Sequence, residues 1–344
     1  MDVLDHECPS CGANIPFNPD TQRWDCKYCG ASYTLEDFEK YDAEMKKENK
    51  EENVNVDMDE YTCPNCGAKV VTDSNTSATS CVYCGSTTIL KNRLQGEFKP
   101  SQVIPFSQSK EKAVEEFYKF SKKKWFAPKE FCKKENIQKV EGVYIPFWLY
   151  DCETKGNIIA DAKKISTWRS GDYMYTKTDY YLCQREGNMV FEGVPVDGST
   201  KFADDIMDSI EPYNYEGMKE FNPSYLSGFL AEKYDVEKDD AYSRAKMRVK
   251  NTTIEELKND MKGYNTVNVK ENNIEVERKK DKYVLMPVWM LNIKYKDKMH
   301  TFAMNGQTGK MVGNVPVSVK KLILTALIIE ILLLIISTLI KLFL

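Results

Sequence analysis

Val143-Tyr144-Ile145-Pro146-Phe147-Trp148-Leu149-Tyr150 is a continuous apolar run, and Val284-Leu285-Met286-Pro287-Val288-Trp289-Met290-Leu291 repeats its plan, with proline again two places before tryptophan. An unbroken apolar run of this length, rich in β-branched and aromatic residues, reads as a strand buried on both faces. Proline donates nothing to a ladder, so both prolines are expected at edges or bulges. Polar, strand-like sequence follows each run, and a helix is predicted before each, over residues 110–124 and about 237–262. The economical fold class is α+β, with two related helix–strand units inside one body, residues 93–316. The aromatic residues of these runs are assigned to the core and given no chemistry.

The first predicted helix has Ser109 as its cap and Ala113, Val114, Phe117 and Phe120 at helical spacing. Lys122, Lys123 and Lys124 close it, where positive charge suits the dipole. Beside Trp125 and Phe126 this basic run reads as a solvated helix end, with contact to lipid headgroups as the competing reading.

Upstream of the body, eight of eleven cysteines fall into two copies of one pattern. Cys8-Pro-Ser-Cys11-Gly12 is answered by Cys26-Lys-Tyr-Cys29-Gly30, and 55 residues later Cys63-Pro-Asn-Cys66-Gly67 is answered by Cys81-Val-Tyr-Cys84-Gly85. Four thiolates in two C-x-x-C knuckles form a closed tetrahedral Zn²⁺ site, so two structural zinc ions are expected, one per ribbon. The glycine after each knuckle supplies the positive φ of a tight turn. Redox dithiol and catalytic zinc are the competing readings; a redox motif stands alone beside a βαβ pattern, and a catalytic zinc keeps one position open. The expected divisions are ribbon one at 1–33, an acidic helix and linker at 34–60 opened by Thr34, and ribbon two at 61–92. Cys132, Cys152 and Cys183 are left over, an odd number that suits a reducing compartment.

The chain has 344 residues with 48 basic and 52 acidic side chains. Residues 1–90 carry 17 acidic and 7 basic residues, a net of −10, which repels a phosphate backbone. Nucleic-acid binding is therefore disfavoured despite the ribbons. No group of residues has the spacing of a nucleophilic, acid–base or catalytic-metal site, so no enzyme is expected. Met304-Asn305-Gly306-Gln307-Thr308-Gly309-Lys310 lacks the Walker A spacing and reads as a glycine-rich turn between strands.

Leu322 to Ile340 is apolar apart from Glu330. Nineteen helical residues rise about 28 Å, near a bilayer's hydrocarbon thickness. A transmembrane helix is expected at 320–342, with a buried core helix as the competing reading. The acidic N-terminus has no apolar stretch, so the expectation is a tail-anchored, single-pass protein of the cell membrane with its soluble part on the cytoplasmic side. Glu330 is either tolerated within a lone apolar helix or meets another transmembrane helix.

Paired C-P-x-C-G knuckles, V-Y-I-P-F-W, P-V-W, N-G-Q-T-G-K and an apolar C-terminal segment together resemble a bacterial family: YdjG-like zinc-ribbon membrane proteins encoded beside PspA-type phage-shock proteins. Such sequences are often labelled TFIIB-type zinc ribbons or primosomal helicase-like. The resemblance implies a membrane anchor that, with a partner membrane protein, recruits cytosolic PspA-type or SPFH-like proteins in an envelope-stress response. The leading expectation is a scaffold whose zinc-stiffened knuckles present Tyr28, Tyr83 and acidic residues to a partner. The alternative is a membrane-tethered nucleic-acid-binding or transcription-related ribbon protein.

Overall fold

The computed structural model describes residues 8–48, 58–63, 67–73, 81, 83, 90–93, 100–133, 136–201, 204–296 and 298–343. The chain opens with a three-stranded antiparallel sheet, β1 (Phe17–Asn18), β2 (Arg23–Asp25) and β3 (Ser32–Tyr33), followed by α1 (Leu35–Glu48). Thr34 and Asp37 cap α1 reciprocally: the Asp37 carboxylate accepts from the Thr34 N–H at 2.8 Å, and the Thr34 hydroxyl accepts from the Asp37 N–H at 3.3 Å. Next come β4 (Met58–Thr62), β5 (Lys69–Asp73) and β6 (Leu90–Arg93), then β7 (Gln102–Val103) and α2 (Lys110–Lys123). Ser109 occupies the N-cap of α2 without a side-chain capping bond.

Two very long strands follow, β8 (Ile137–Ser170) and β9 (Tyr173–Asp197), which form one hairpin. The chain continues through α3 (Asp204–Ile210), β10 (Lys219–Glu220), β11 (Leu230–Glu232), α4 (Lys238–Asn259), β12 (Thr266–Tyr295), β13 (Lys298–Asn305), β14 (Met311–Gly313) and α5 (Val319–Phe343). Eleven strands join one mixed sheet with the order β10-β7-β12-β8-β11-β5-β4-β6; β9 adds to β8, β13 to β12 and β14 to β13. The strand just after Cys66 is thereby part of the body's sheet, because β5 pairs with β11.

The sheet is centred on the two apolar runs. β8 and β12 pair antiparallel with Ile145 opposite Met286, Pro146 opposite Leu285 and Tyr144 opposite Pro287. Each run also changes its second neighbour at the proline. Val143 and Tyr144 pair parallel with β11, and from Phe147 the partner is β9. Val284 and Leu285 pair parallel with β7, and from Val288 the partner is β13. The prolines therefore lie inside the sheet, at a seam between two neighbouring strands, where a missing N–H interrupts no continuous ladder. That is the correction to the edge placement expected from sequence.

Side chains alternate between two cores, which is why these runs have no polar positions. Val143, Ile145, Phe147 and Leu149 join Val284, Met286, Val288 and Met290 beneath α3, with Met207 and Ile210. Tyr144, Trp148 and Tyr150 join Leu285, Trp289 and Leu291 on the opposite face, under Ala113 and Phe117 of α2 and Ala241, Ala245 and Val249 of α4. Beyond Tyr150 the hairpin continues with one face covered. Cys152, Thr154, Ile158, Ala160 and Ala162 are buried, the last three packing with Leu257 of α4. Gly156 permits this approach: a Cβ there would meet Ile274 at 2.8 Å and Thr253 at 3.0 Å.

The far end of the hairpin is uncovered. Trp168 stacks on Tyr175 with ring centroids 5.7 Å apart, and Tyr173, Met174 and Tyr180 are exposed around it. At the chain's other extreme, the apolar stretch Val319–Ile340 of α5 has none of its length buried against the body. This removes the buried core helix as an explanation; α5 is long and apolar enough to cross a membrane.

Candidate metal centre

Three knuckles share one backbone plan. The N–H of Cys8 bonds the carbonyl of Ala13 at 2.7 Å and Gly12 N–H returns to Cys8 O at 2.8 Å. Cys26 with Ala31 and Gly30, and Cys63 with Ala68 and Gly67, repeat both bonds within about 0.2 Å. Gly12, Gly30 and Gly67 all have positive φ, 69°, 78° and 71°, which a side chain would resist. The first cysteine of each knuckle is buried in both copies: Cys8, Cys26, Cys63 and Cys81.

In the first copy β1 to β3 bring the knuckles together. The sulfurs of Cys8, Cys11, Cys26 and Cys29 all lie within 4.8 Å of one another, with Cys8–Cys29 at 3.5 Å and Cys11–Cys26 at 3.6 Å. Among the described residues this is the one cluster with the geometry to hold a metal ion. Burial raises the Cys8 thiol's pKa, but the Ser10 backbone, the Tyr33 hydroxyl and Cys29 outweigh it and bring the value to about 6. A thiolate is thus favoured at the deepest position of the cluster. In the second copy Cys63 and Cys81 share a small core with Ala68 and Tyr83. Cys66 and Cys84, the remaining predicted ligands, lie outside the described residues.

The segment that carries this cluster is bound firmly to the body. Trp24 is buried, its indole N–H donates to Ser224 O at 3.1 Å, and its ring meets Phe17, Phe38 and Tyr225. Ser227 Oγ donates to Ile15 O at 2.9 Å, and Gln22 donates to Phe106 O at 2.7 Å. Sequence reasoning missed this dock. Its signal was Trp24 itself, a large apolar side chain in a segment too small to bury it alone.

The two tyrosines expected to face a partner differ. Tyr28 is 82% exposed. Tyr83 instead turns inward and donates to the buried carboxyl of Glu232 at 2.6 Å, which Ser199 also reaches at 2.6 Å. This corrects the outward placement of Tyr83: a phenol at the edge of the body's sheet gains more from a buried acceptor than from water. Of the leftover cysteines, Cys152 and Cys183 are buried in the sheet, and burial raises the thiol of Cys152.

The chain is 36% identical over 316 residues to the uncharacterized protein YdjG of Bacillus subtilis strain 168, covering 92% of this chain and 91% of that one. No protein-family profile matches it, and no solved structure does.

Proposed function

The chain belongs to the YdjG family, and on that premise we propose that it is a non-enzymatic zinc-ribbon adaptor, anchored in the cell membrane by α5, that recruits cytosolic proteins of the PspA or SPFH-like type. The observation that carries this reading is the four-cysteine cluster seated on a body whose last helix is apolar and uncovered. Sulfurs about 2.3 Å from a tetrahedral zinc stand roughly 3.8 Å apart, and the 3.5 and 3.6 Å separations are close to that. When bound, zinc would close the first ribbon through Cys8, Cys11, Cys26 and Cys29, and a second ion would close the other copy through Cys63, Cys66, Cys81 and Cys84. Neither site leaves a position for substrate, so the metal's role is to fix shape.

Two further features support an adaptor. The uncovered aromatic end of the β8–β9 hairpin and the exposed Tyr28 offer surfaces for a protein. The repeated short strand, helix, long strand and return strand read as a duplicated unit, a scaffold widened by copying. The reducing environment that thiolate ligands need supports a body on the cytoplasmic side.

The test uses full-length protein from detergent-solubilised membranes, reconstituted into vesicles. Two zinc ions per chain are expected, with co-flotation of a purified PspA-type protein that is lost in Cys26→Ser and weakened by Glu330→Leu when the partner membrane protein is present. A metal-free preparation, or recovery of the chain in the soluble fraction, defeats the anchor-and-zinc reading. Salt-dependent DNA binding without any recruitment would favour the nucleic-acid alternative.

A further inference from the structure

The root of α5 is fastened to the segment that follows α2. Ser318 N–H donates to Phe126 O at 2.8 Å. Lys321 Nζ donates to Ala127 O at 2.6 Å and to Trp125 O at 3.4 Å. Three backbone carbonyls in a row are thus tied to two residues, Ser318 and Lys321, that bracket the start of the apolar stretch at Val319. Ala127 and Pro128 are buried beneath this contact, whereas Lys122, Lys123, Lys124 and Lys129 are exposed beside it.

Trp125 is the informative side chain. It is 76% exposed, although its neighbours Phe126 and Ala127 turn inward. A large indole held out into water next to the first turn of an apolar helix suits the boundary between hydrocarbon and headgroups, where tryptophan concentrates. The lysines around it suit the C-terminal end of the α2 dipole, a role that leaves their charges free to meet a surface. Among the described residues Lys122 and Lys123 are exposed and form no salt bridge, and Lys124 overlies the Phe120 ring at 5.0 Å. Lys320 adds a further exposed charge at the helix root. Basic side chains within a few ångströms of a bilayer attract anionic lipids, and the effect fades within a Debye length.

We propose that Lys122, Lys123, Lys124 and Trp125, together with Lys320, form a headgroup-binding collar for anionic phospholipid that seats the body on the membrane and fixes its tilt. The inference rests on α5 spanning the bilayer. The collar is a product of tertiary structure, since nearly two hundred positions separate its halves in sequence. Because Lys321 ties it to the helix, the collar sits at one depth rather than sampling the surface on a flexible tether.

The test reconstitutes full-length protein in phosphatidylcholine vesicles with or without phosphatidylglycerol, with bromine atoms placed on the acyl chains just below the headgroups. Trp125 quenching is read as the difference between the wild-type chain and Trp125→Phe. The expected result is a quenched difference signal that deepens at least twofold with phosphatidylglycerol. Lys122→Gln/Lys123→Gln/Lys124→Gln should abolish that deepening, whereas Lys163→Gln/Lys164→Gln/Lys177→Gln at the hairpin end should leave it intact. Vesicles that float with the protein but give no Trp125 quenching overturn the collar while leaving the anchor standing. Quenching indifferent to phosphatidylglycerol, or to the collar lysines, overturns the anionic-lipid assignment. Failure of the wild-type chain to float at all would instead refute the span.

Discussion

The two halves of the body share a backbone but not its chemistry. In one half β11 is followed, eight residues after its start, by α4; in the other β7 is followed by α2 at the same interval. Each return strand, β9 or β13, ends at a glycine whose N–H bonds a proline carbonyl of its long strand at 2.8 Å: Gly198 with Pro146, and Gly306 with Pro287. Each such glycine carbonyl then accepts from two consecutive N–H groups, Asp235 and Val236 for Gly198, Ser107 and Gln108 for Gly306. The residue before the glycine is Asp197 in one half and Asn305 in the other. Where one half buries Ile104, the other buries Glu232. A shared backbone frame thus carries neutral packing in one half and ionisable groups in the other, and the ionisable half is the one that meets Tyr83 and β5.

Exchanging the acid and the amide should break this comparison most severely. Asn305 donates to the carbonyls of Ile210 and Pro212 at 3.0 and 3.1 Å and accepts from Gln307 and Thr308. Asn305→Asp would set a buried carboxylate oxygen against two carbonyls, a loss of about 3–5 kcal/mol. Asp197 faces Arg244 at 2.8 Å, yet burial still raises its pKa. Arg244 also contacts Asp204 and Asp208, so Asp197→Asn should cost only about 1 kcal/mol. Urea unfolding of the full chain in detergent measures both. Equal losses would mean that the two turns are not differently charged in the way their side chains imply.

Glu232 gives the next largest effect, and it depends on pH. Burial pushes its carboxyl up to about 8, against the opposing pull of the Ser199 and Tyr83 hydroxyls. The folded state therefore holds a proton that the unfolded chain releases near the ordinary carboxylate value. Stability is complete below that value and declines as pH rises toward 8. Glu232→Gln removes the titration, so it should flatten this decline and stabilise the chain at pH 8 by roughly 2–4 kcal/mol. Comparing unfolding of the two proteins at pH 6 and pH 8 cancels contributions from the thiolates. Parallel pH profiles would show that Glu232 is ionised in the folded protein after all.

Glycine replacement sharpens the comparison further. A Cβ on Gly306 would lie 2.6 Å from Phe106 and 2.8 Å from Pro287, and Phe106 is itself stacked on Phe229 at 4.2 Å. At Gly198 the nearest atoms, on Trp148 and Tyr234, stand at 3.2 Å. Gly306→Ala should therefore cost about 3 kcal/mol and Gly198→Ala about 1 kcal/mol. A thermal shift in the reverse order would mean that the Phe106–Phe229 stack yields more readily than the Trp148 indole.

Much of this frame was legible in sequence. The paired apolar runs marked both central strands, the cysteine spacing marked the cluster of Cys8, Cys11, Cys26 and Cys29, and the helix starts near 110 and 237 fell within a residue of α2 and α4. The second neighbour of each run was not legible, because β7 and β11 are two or three residues long and share no residue pattern. The proline placement failed for the same reason. Asp197-Gly198 and Asn305-Gly306 were a readable clue to the paired turns, each at the end of a strand. Glu232 gave no warning, since one acid in Leu230-Ala231-Glu232-Lys233 looks like any surface residue. Its burial follows only once β5 is laid against β11.

The smallest effect is the finest test of how alike the halves are. Trp148 donates from its indole to Val236 O at 3.0 Å, and Trp289 donates to Gln108 O at 2.7 Å, each acceptor two residues before its helix. The surrounding rings differ: Trp148 meets Tyr234 and Tyr283, while Trp289 meets Phe106 and Phe229. Phenylalanine keeps most of the ring contact and removes only the N–H, leaving a carbonyl unsatisfied, so each substitution should cost about 1–2 kcal/mol. If the hydrogen bond sets the cost, Trp148→Phe and Trp289→Phe will agree within a few tenths of a kcal/mol by urea titration. If ring packing sets it, the all-hydrocarbon surroundings of Trp289 will repack around phenylalanine more readily and that variant will lose less. A difference approaching the whole cost would confine the likeness of the halves to their backbone.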